Sequence, residues 1–153
     1  MTVYTPQDAA LIRHADSVAV LTGAGLPDDS AVSFHPDERI TVWQRNPGYA
    51  VIGTWGDSGI DVIVDITDGS VWTAPSWSAE IDPLNATVRQ LAESLAALNA
   101  ARPLSDQRYE SDDAAADHAR GLLTAIDPET LADPDSFWRA LIWDISNGDY
   151  TEH

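Results

Sequence analysis

Between Tyr49 and Trp72 the chain reads YAVIGTWGDSGIDVIVDITDGSVW, and apolar residues there recur at every second position between glycine-bearing turns. A period of two belongs to strands, whose side chains point alternately to opposite faces. Asp68-Gly69 is a preferred two-residue hairpin turn, because both positions reach positive φ cheaply. Closing the chain there pairs Thr67 with Ser70, Ile66 with Val71 and Asp65 with Trp72. A turn over Gly56–Gly59 pairs Trp55 with Ile60, Gly53 with Val62 and Ile52 with Ile63. A loop over Arg45–Gly48, which holds the breakers Asn46, Pro47 and Gly48, pairs Gln44 with Tyr49, Trp43 with Ala50 and Val42 with Val51. The expectation is an antiparallel meander with strands near 40–44, 49–55, 60–67 and 70–74.

These registers sort the strands onto two faces. One gathers Ile40, Val42, Val51, Gly53, Trp55, Ile60, Val62, Val64, Ile66 and Val71, and it needs a cover. The other gathers Thr41, Trp43, Ala50, Ile52, Thr54, Asp61, Ile63, Asp65, Trp72 and Ala74. On it Trp43, Ala50, Asp65 and Trp72 fall in one row across the sheet.

The cover comes from the second half. Asn85 is a candidate cap for a helix carrying Val88, Leu91, Leu95 and Leu98 at helical spacing. Ser111 caps a second, with Asp112 and Asp113 in its first turn and Ala115, Ala119, Leu122 and Ile126 on one side. Asp133-Pro134 starts a third with Phe137, Trp138, Leu141, Ile142 and Ile145, and Gly148 ends it. Upstream, Thr5-Pro6-Gln7-Asp8 opens a short helix near 6–14, and Leu21–Pro27 is a connector. Val32–Phe34 suits a short strand, Trp72–Pro83 one irregular edge strand, and residues 100–112 a linker. Strands first and helices afterwards predict an α+β fold, a meander of four or more strands covered on one face by helices. The whole chain, 1–153, is read as one domain, long enough to bury roughly 70% of its unfolded surface.

Charge narrows the partners. Eight arginines, no lysine and 25 carboxyl side chains leave a formal charge of −17. Phosphate backbones would be repelled, so direct nucleic-acid binding is not expected. A basic protein would instead be steered in by the field. Acidity also serves solubility alone, so charge by itself leaves both readings open. The chain has no cysteine, which removes disulfides, thiolate catalysis and Cys-based zinc sites and agrees with a reducing cytoplasm. No apolar run of membrane length occurs, and the first residues lack the basic-then-apolar layout of a secretory signal.

Catalytic patterns are scarce. His14, His35, His118 and His153 include no pair at metal-binding helical spacing. Gly23-Ala24-Gly25 has too few glycines for a dinucleotide loop and lacks the lysine of a P-loop. Asp61 and Asp65 share a face but lie ~13 Å apart along one strand, too far for one metal or a tight acid–base pair. Asp57 and Asp68 occupy turns, where aspartate bonds its own backbone. A metal hydrolase built on Asp57, Asp61 and Asp65 is therefore the weakest reading. The segment Asp127–Asp135 lacks the glycine and the bidentate glutamate of a calcium loop and reads as two helix boundaries. No cofactor is expected. Of the six tryptophans, Trp55 and Trp138 suit the core. Trp43 and Trp72 suit the opposite face, where exposed rings rimmed by acids make a protein-binding surface, unless another segment such as the N-terminal helix covers it.

Several segments, in order, resemble the SUKH superfamily of bacterial immunity proteins, most closely its fourth branch. They are Gly25-Leu26-Pro27; Val51-Ile52-Gly53-Thr54-Trp55-Gly56-Asp57; Asp65–Trp72, DITDGSVW; Leu84-Asn85-Ala86-Thr87 with Leu91 and Leu95; and Phe137-Trp138 in a terminal helix ending near Asp149-Tyr150. Leu91 departs from the pattern, where many relatives carry an aromatic. The resemblance implies a small α+β antidote that binds and neutralises a bacterial toxin, often a nuclease or nucleic-acid deaminase, with no catalytic residues. It also admits a scaffold module without a toxin. The partner-binding residues expected from the sheet are Trp43, Asp61, Asp65 and Trp72, with Asp57 and Trp77 nearby. Oligomeric state stays open.

Overall fold

The computed structural model describes residues 1–57 and 59–152; Ser58, within the predicted turn 56–59, and His153 lie outside the described residues. The sheet has five antiparallel strands in sequential order: β1 Phe34–Val42, β2 Tyr49–Trp55, β3 Ile60–Asp65, β4 Val71–Pro75 and β5 Asp82–Asn85. The helices are α1 Ala15–Thr22, α2 Val88–Ala101, α3 Asp112–Ile126, α4 Pro128–Ala132 and α5 Phe137–Ser146, with a 3-10 turn at Asp8–Leu11. The chain is thus the α+β meander that its patterning predicts.

All three predicted registers differ from expectation, in part or throughout. Residues 66–70 form the connection between β3 and β4: Asp65 N–H donates to the Ser70 carbonyl (2.9 Å) and Gly69 N–H to the Asp65 carbonyl (3.0 Å). Val64 therefore faces Val71, and Ile63 faces Trp72. A shift of two residues leaves each strand's faces unchanged but takes Ile66 and Thr67 out of β3. The wider loop forms because Asp65 Oδ1 accepts from the N–H groups of Thr67 and Asp68 (2.8 and 3.1 Å), closing an Asx-type turn.

The second difference exchanges faces. Gly53 pairs with Val62 as expected, but Val51 pairs with Ile63 and Ala50 with Val64, so Ile52 is the extra residue of a bulge. Ala50 and Ile52 consequently enter the main core, while Tyr49 and Val51 turn to the other side. Val42 pairs with Ala50, not Val51, and remains 47% exposed on the outer strand. Gly53 sits where the Phe34 ring presses on β2. A Cβ there would lie 2.6 Å from the His35 carbonyl and 2.9 Å from the ring.

β1 begins at Phe34, six residues earlier than predicted, and its pairing with β2 is interrupted between Pro36 and Thr41. Tyr4 spans this irregularity, donating to the carbonyls of Asp37 (2.6 Å) and Ile52 (3.3 Å). Trp55 anchors the core among Phe34, Phe137 and Trp138, with ring centroids 4.7–5.8 Å away. Val88, Leu91, Leu95 and Leu98 of α2 are wholly buried, as are Trp138 and Ile145 of α5.

Helix ends account for the remaining corrections. α2 is capped by Thr87 in a capping box with Gln90, not by Asn85. Asn85 is instead buried at the end of β5, accepting from Trp138 Nε1 (3.2 Å) and donating to Asp127 Oδ2 (3.2 Å). Asp127 caps α4, an element that the sequence reading folds into a helix boundary. Ser111 caps α3 as predicted, whereas α5 starts after Ser136 rather than at Asp133-Pro134. The predicted helix 6–14 is only the 3-10 turn, and α1 follows it, capped by His14, whose Nδ1 accepts from Ser17 N–H (3.3 Å). The expected linker is packed: Leu104 and Ser105 are buried, and Tyr109 donates to the Ala101 carbonyl (2.8 Å).

Candidate functional site

Helices cover the Ile52–Val62–Val64 face of the sheet. The opposite face carries its own small cluster of Trp43, Ile63 and Ala74, flanked by Tyr49, Val51, Trp72 and Ile81. Trp43 is only 7% exposed, so it is not the open ring expected from the sequence. Among the described residues its cluster contains no helix residue, from the N-terminal helix or any other. Tyr49 stacks edge-on at 5.7 Å, and the Arg45 guanidinium lies over the ring at 4.6 Å. Arg45 also donates to the carbonyls of Ser78 (2.5 Å) and Pro75 (3.3 Å), which straps the β4–β5 loop against the β1–β2 loop.

That strap presents Trp77, which is 68% exposed. Trp72 is half-buried, and its Nε1 donates to Ser70 Oγ (2.9 Å). The predicted row of Trp43, Ala50, Asp65 and Trp72 is broken, because the β2 bulge sends Ala50 inward and Trp72 lies opposite Ile63. The surface is instead a buried Trp43 floor with Trp72 packed against its cluster and Trp77 exposed on the adjoining β4–β5 loop.

The carboxyl groups divide by role. Asp65 and Asp68 are committed to the turn, Asp68 Oδ1 accepting from Ser70 N–H (2.8 Å) and Oγ–H (2.6 Å). Those bonds hold the Asp68 carboxyl below the usual carboxylate range. Asp57 is exposed in its turn, and Asp61 is half-buried on β3. Asp61 shares an open depression of about 580 Å³ with Asp37, Trp43, Val51 and Ser76. Burial, and then the nearby Asp61, push the Asp37 carboxyl above its ordinary value.

Asp37, Arg45 and Ile81 are the site residues missing from the sequence reading. Asp37 escapes the sequence reading because that reading begins β1 near residue 40, and Arg45 because the carbonyls it binds lie some thirty residues away. The one available signal was Gly53, since glycine inside a strand marks a bulge or a close backbone approach. Between residues 34 and 85 eight carboxyl side chains face two arginines, Arg39 and Arg45. Among the described residues no group of three or more His, Cys, Asp or Glu side chains is placed to hold a metal ion. Among the described residues no helix is long and apolar enough to cross a membrane.

A family model described as SUKH-4 immunity protein matches residues 1–144, which takes in every strand and the sheet surface just described. The chain belongs to the SUKH-4 immunity protein family. No curated protein and no solved structure matches it. The match supports an immunity role for this SUKH-4 protein, and with it a cognate toxin as partner.

Proposed function

We propose that this SUKH-4 protein neutralises its toxin by tight, stoichiometric binding in the cytoplasm, without catalysis, through the helix-free face of the sheet. The observation that carries the reading is Trp77, 68% exposed on a loop braced by Arg45 beside the helix-free face of the sheet. A large ring held rigidly at an interface buries much area and loses little side-chain entropy. Asp57 and Asp61 with Trp72 and Trp77 form the contact surface; Trp43 supports it from beneath, and Asp65 shapes the adjacent turn.

The toxin fitted by this surface is basic, as is a nuclease or deaminase that grips phosphate backbones. Opposite fields would speed encounter and make the on-rate fall steeply with salt. The test is calorimetry and a growth-protection assay with the product of the neighbouring toxin-like reading frame. Trp77→Ala combined with Asp61→Arg is expected to weaken binding about 100-fold, the scale of a central hot spot. Both side chains are away from the core, so circular dichroism should be unchanged. Full protection and native affinity in that folded variant would remove this face from the proposal.

A further inference from the structure

On the helical side a concavity of about 710 Å³ lies between α3 and α5, with Leu131 of α4 at its base, and no strand residue is among its lining. Its floor is Ala116, Leu131 and Ile142, all buried. On its lip stands Trp143, 68% exposed, with Asp113 and Asp117 on α3 and two arginines, Arg120 and Arg139. The helices run antiparallel: Gly148, just past the end of α5, lies beside Asp112 at the start of α3. The charges are therefore sorted along the groove. Asp113 and Asp117 lie toward the end shared with Trp143 and Ser146, while Arg120 and Arg139 lie toward the end shared with Thr124 and Leu131.

Local pairing does not use these charges up. Arg120 meets Asp117 (2.8 Å) in an exposed pair, a kind of contact worth little in water. The Arg139 guanidinium makes no ion pair or side-chain hydrogen bond among the described residues. A uniformly basic partner, as proposed for the sheet, would be repelled by the arginine end. A uniformly acidic one would be repelled by the aspartate end. A partner with the same two ends in reverse order satisfies both.

We infer that this groove is a self-association surface that takes a second copy of the chain about a two-fold axis. The axis sets the Asp113–Asp117 end of one copy against Arg120 and Arg139 of the other, and packs the two Trp143 rings over the apolar floors. An isologous contact of this kind is self-complementary by construction. The overall charge of −17 opposes association, but repulsion between distant charges is screened beyond ~8 Å at physiological salt. The sheet face stays free in such a dimer, so the inference stands whether or not that face binds the toxin.

Sedimentation velocity on the full chain is the test, with loading up to about 200 µM, where a dimer of micromolar Kd is nearly complete. The expected species is a dimer of two 16.5 kDa chains. Trp143→Asp should weaken it more than about tenfold, as loss of a central aromatic does. Asp117→Arg and Arg139→Asp, each alone, should shift the chain to monomer, and mixing the two variants should restore a dimer containing one of each. All three positions are exposed, and circular dichroism checks that each variant is folded. A monomeric wild type at the highest loading overturns the inference. So do charge variants that dimerise as well as wild type, or a mixture that stays monomeric. A monomeric chain whose Trp143→Asp variant loses toxin binding would assign the groove to the toxin and overturn it too.

Discussion

Asp127→Ala should be among the most damaging single polar substitutions in this chain. The side chain is 2% exposed and satisfies three donors at once. Its Oδ2 accepts from Ala86 N–H (2.9 Å) and Asn85 Nδ2 (3.2 Å), and its Oδ1 accepts from Thr130 N–H (3.2 Å). It therefore ties the end of β5 to the start of α4 while Asn85 reaches on to Trp138 in α5. Losing the α4 cap costs about 1 kcal/mol. Leaving the buried Asn85 amide without its acceptor costs roughly 1–3 kcal/mol more. Ala86 is exposed, and water replaces its lost partner. The sum is about 2–4 kcal/mol, a large part of the stability of a domain this size. Ser111→Ala is the control: it removes the cap of α3 at an exposed site and should cost only about 1 kcal/mol. Urea unfolding followed by tryptophan fluorescence reads both, with unchanged m-values expected. If Asp127→Ala were no worse than Ser111→Ala, the three-element junction would not be holding β5 to the helices.

Gly69→Ala should cost about 2–3 kcal/mol, from a left-handed backbone at φ 78° and a Cβ only 2.4 Å from His14 Nδ1, the cap of α1. Hydrogen exchange should then show the first turn of α1 losing protection before the sheet does, whereas uniform loss would contradict the local mechanism. Asp37→Asn tests the elevated carboxyl through pH. Because the folded state holds that proton more tightly than the unfolded chain, the stabilising contribution is complete below the ordinary value of ~3.9 and is lost as pH rises through the elevated one. The variant should thus melt about 1–2 °C higher than wild type at pH 7, a modest gain because the group is partly exposed and screened, and equally at pH 3. A lower melting temperature at pH 7 would contradict the assignment.

The amphipathic faces of α2 and α5 and the strand order were legible because each depends on residues close together in sequence. The period of Val88, Leu91, Leu95 and Leu98 settles which side of α2 is buried, whatever it packs against. Trp55 lies opposite Ile60, as the sequence pattern predicts, and the meander follows from that pairing. Family membership was legible in the same way, through short segments in a set order. What the sequence left undecided depends on contacts between distant residues. The bulge at Ile52 reverses Tyr49–Val51 relative to their expected faces, and it forms where the Phe34 ring, nineteen positions upstream of Gly53, presses on that glycine. Sequence pattern alone leaves Trp43 exposed, because no local pattern reveals that Arg45 lies over its ring while binding carbonyls some thirty residues away. Local pattern makes Asn85 a cap, because a lone asparagine before a helix has that use. Only the assembled fold brings Asp127 and Trp138 close enough to give it another. Local periodicity thus determines which elements form and which sides they bury. A one-residue slip or a single long-range hydrogen bond, invisible to periodicity, decides which rings and charges are left at the surface.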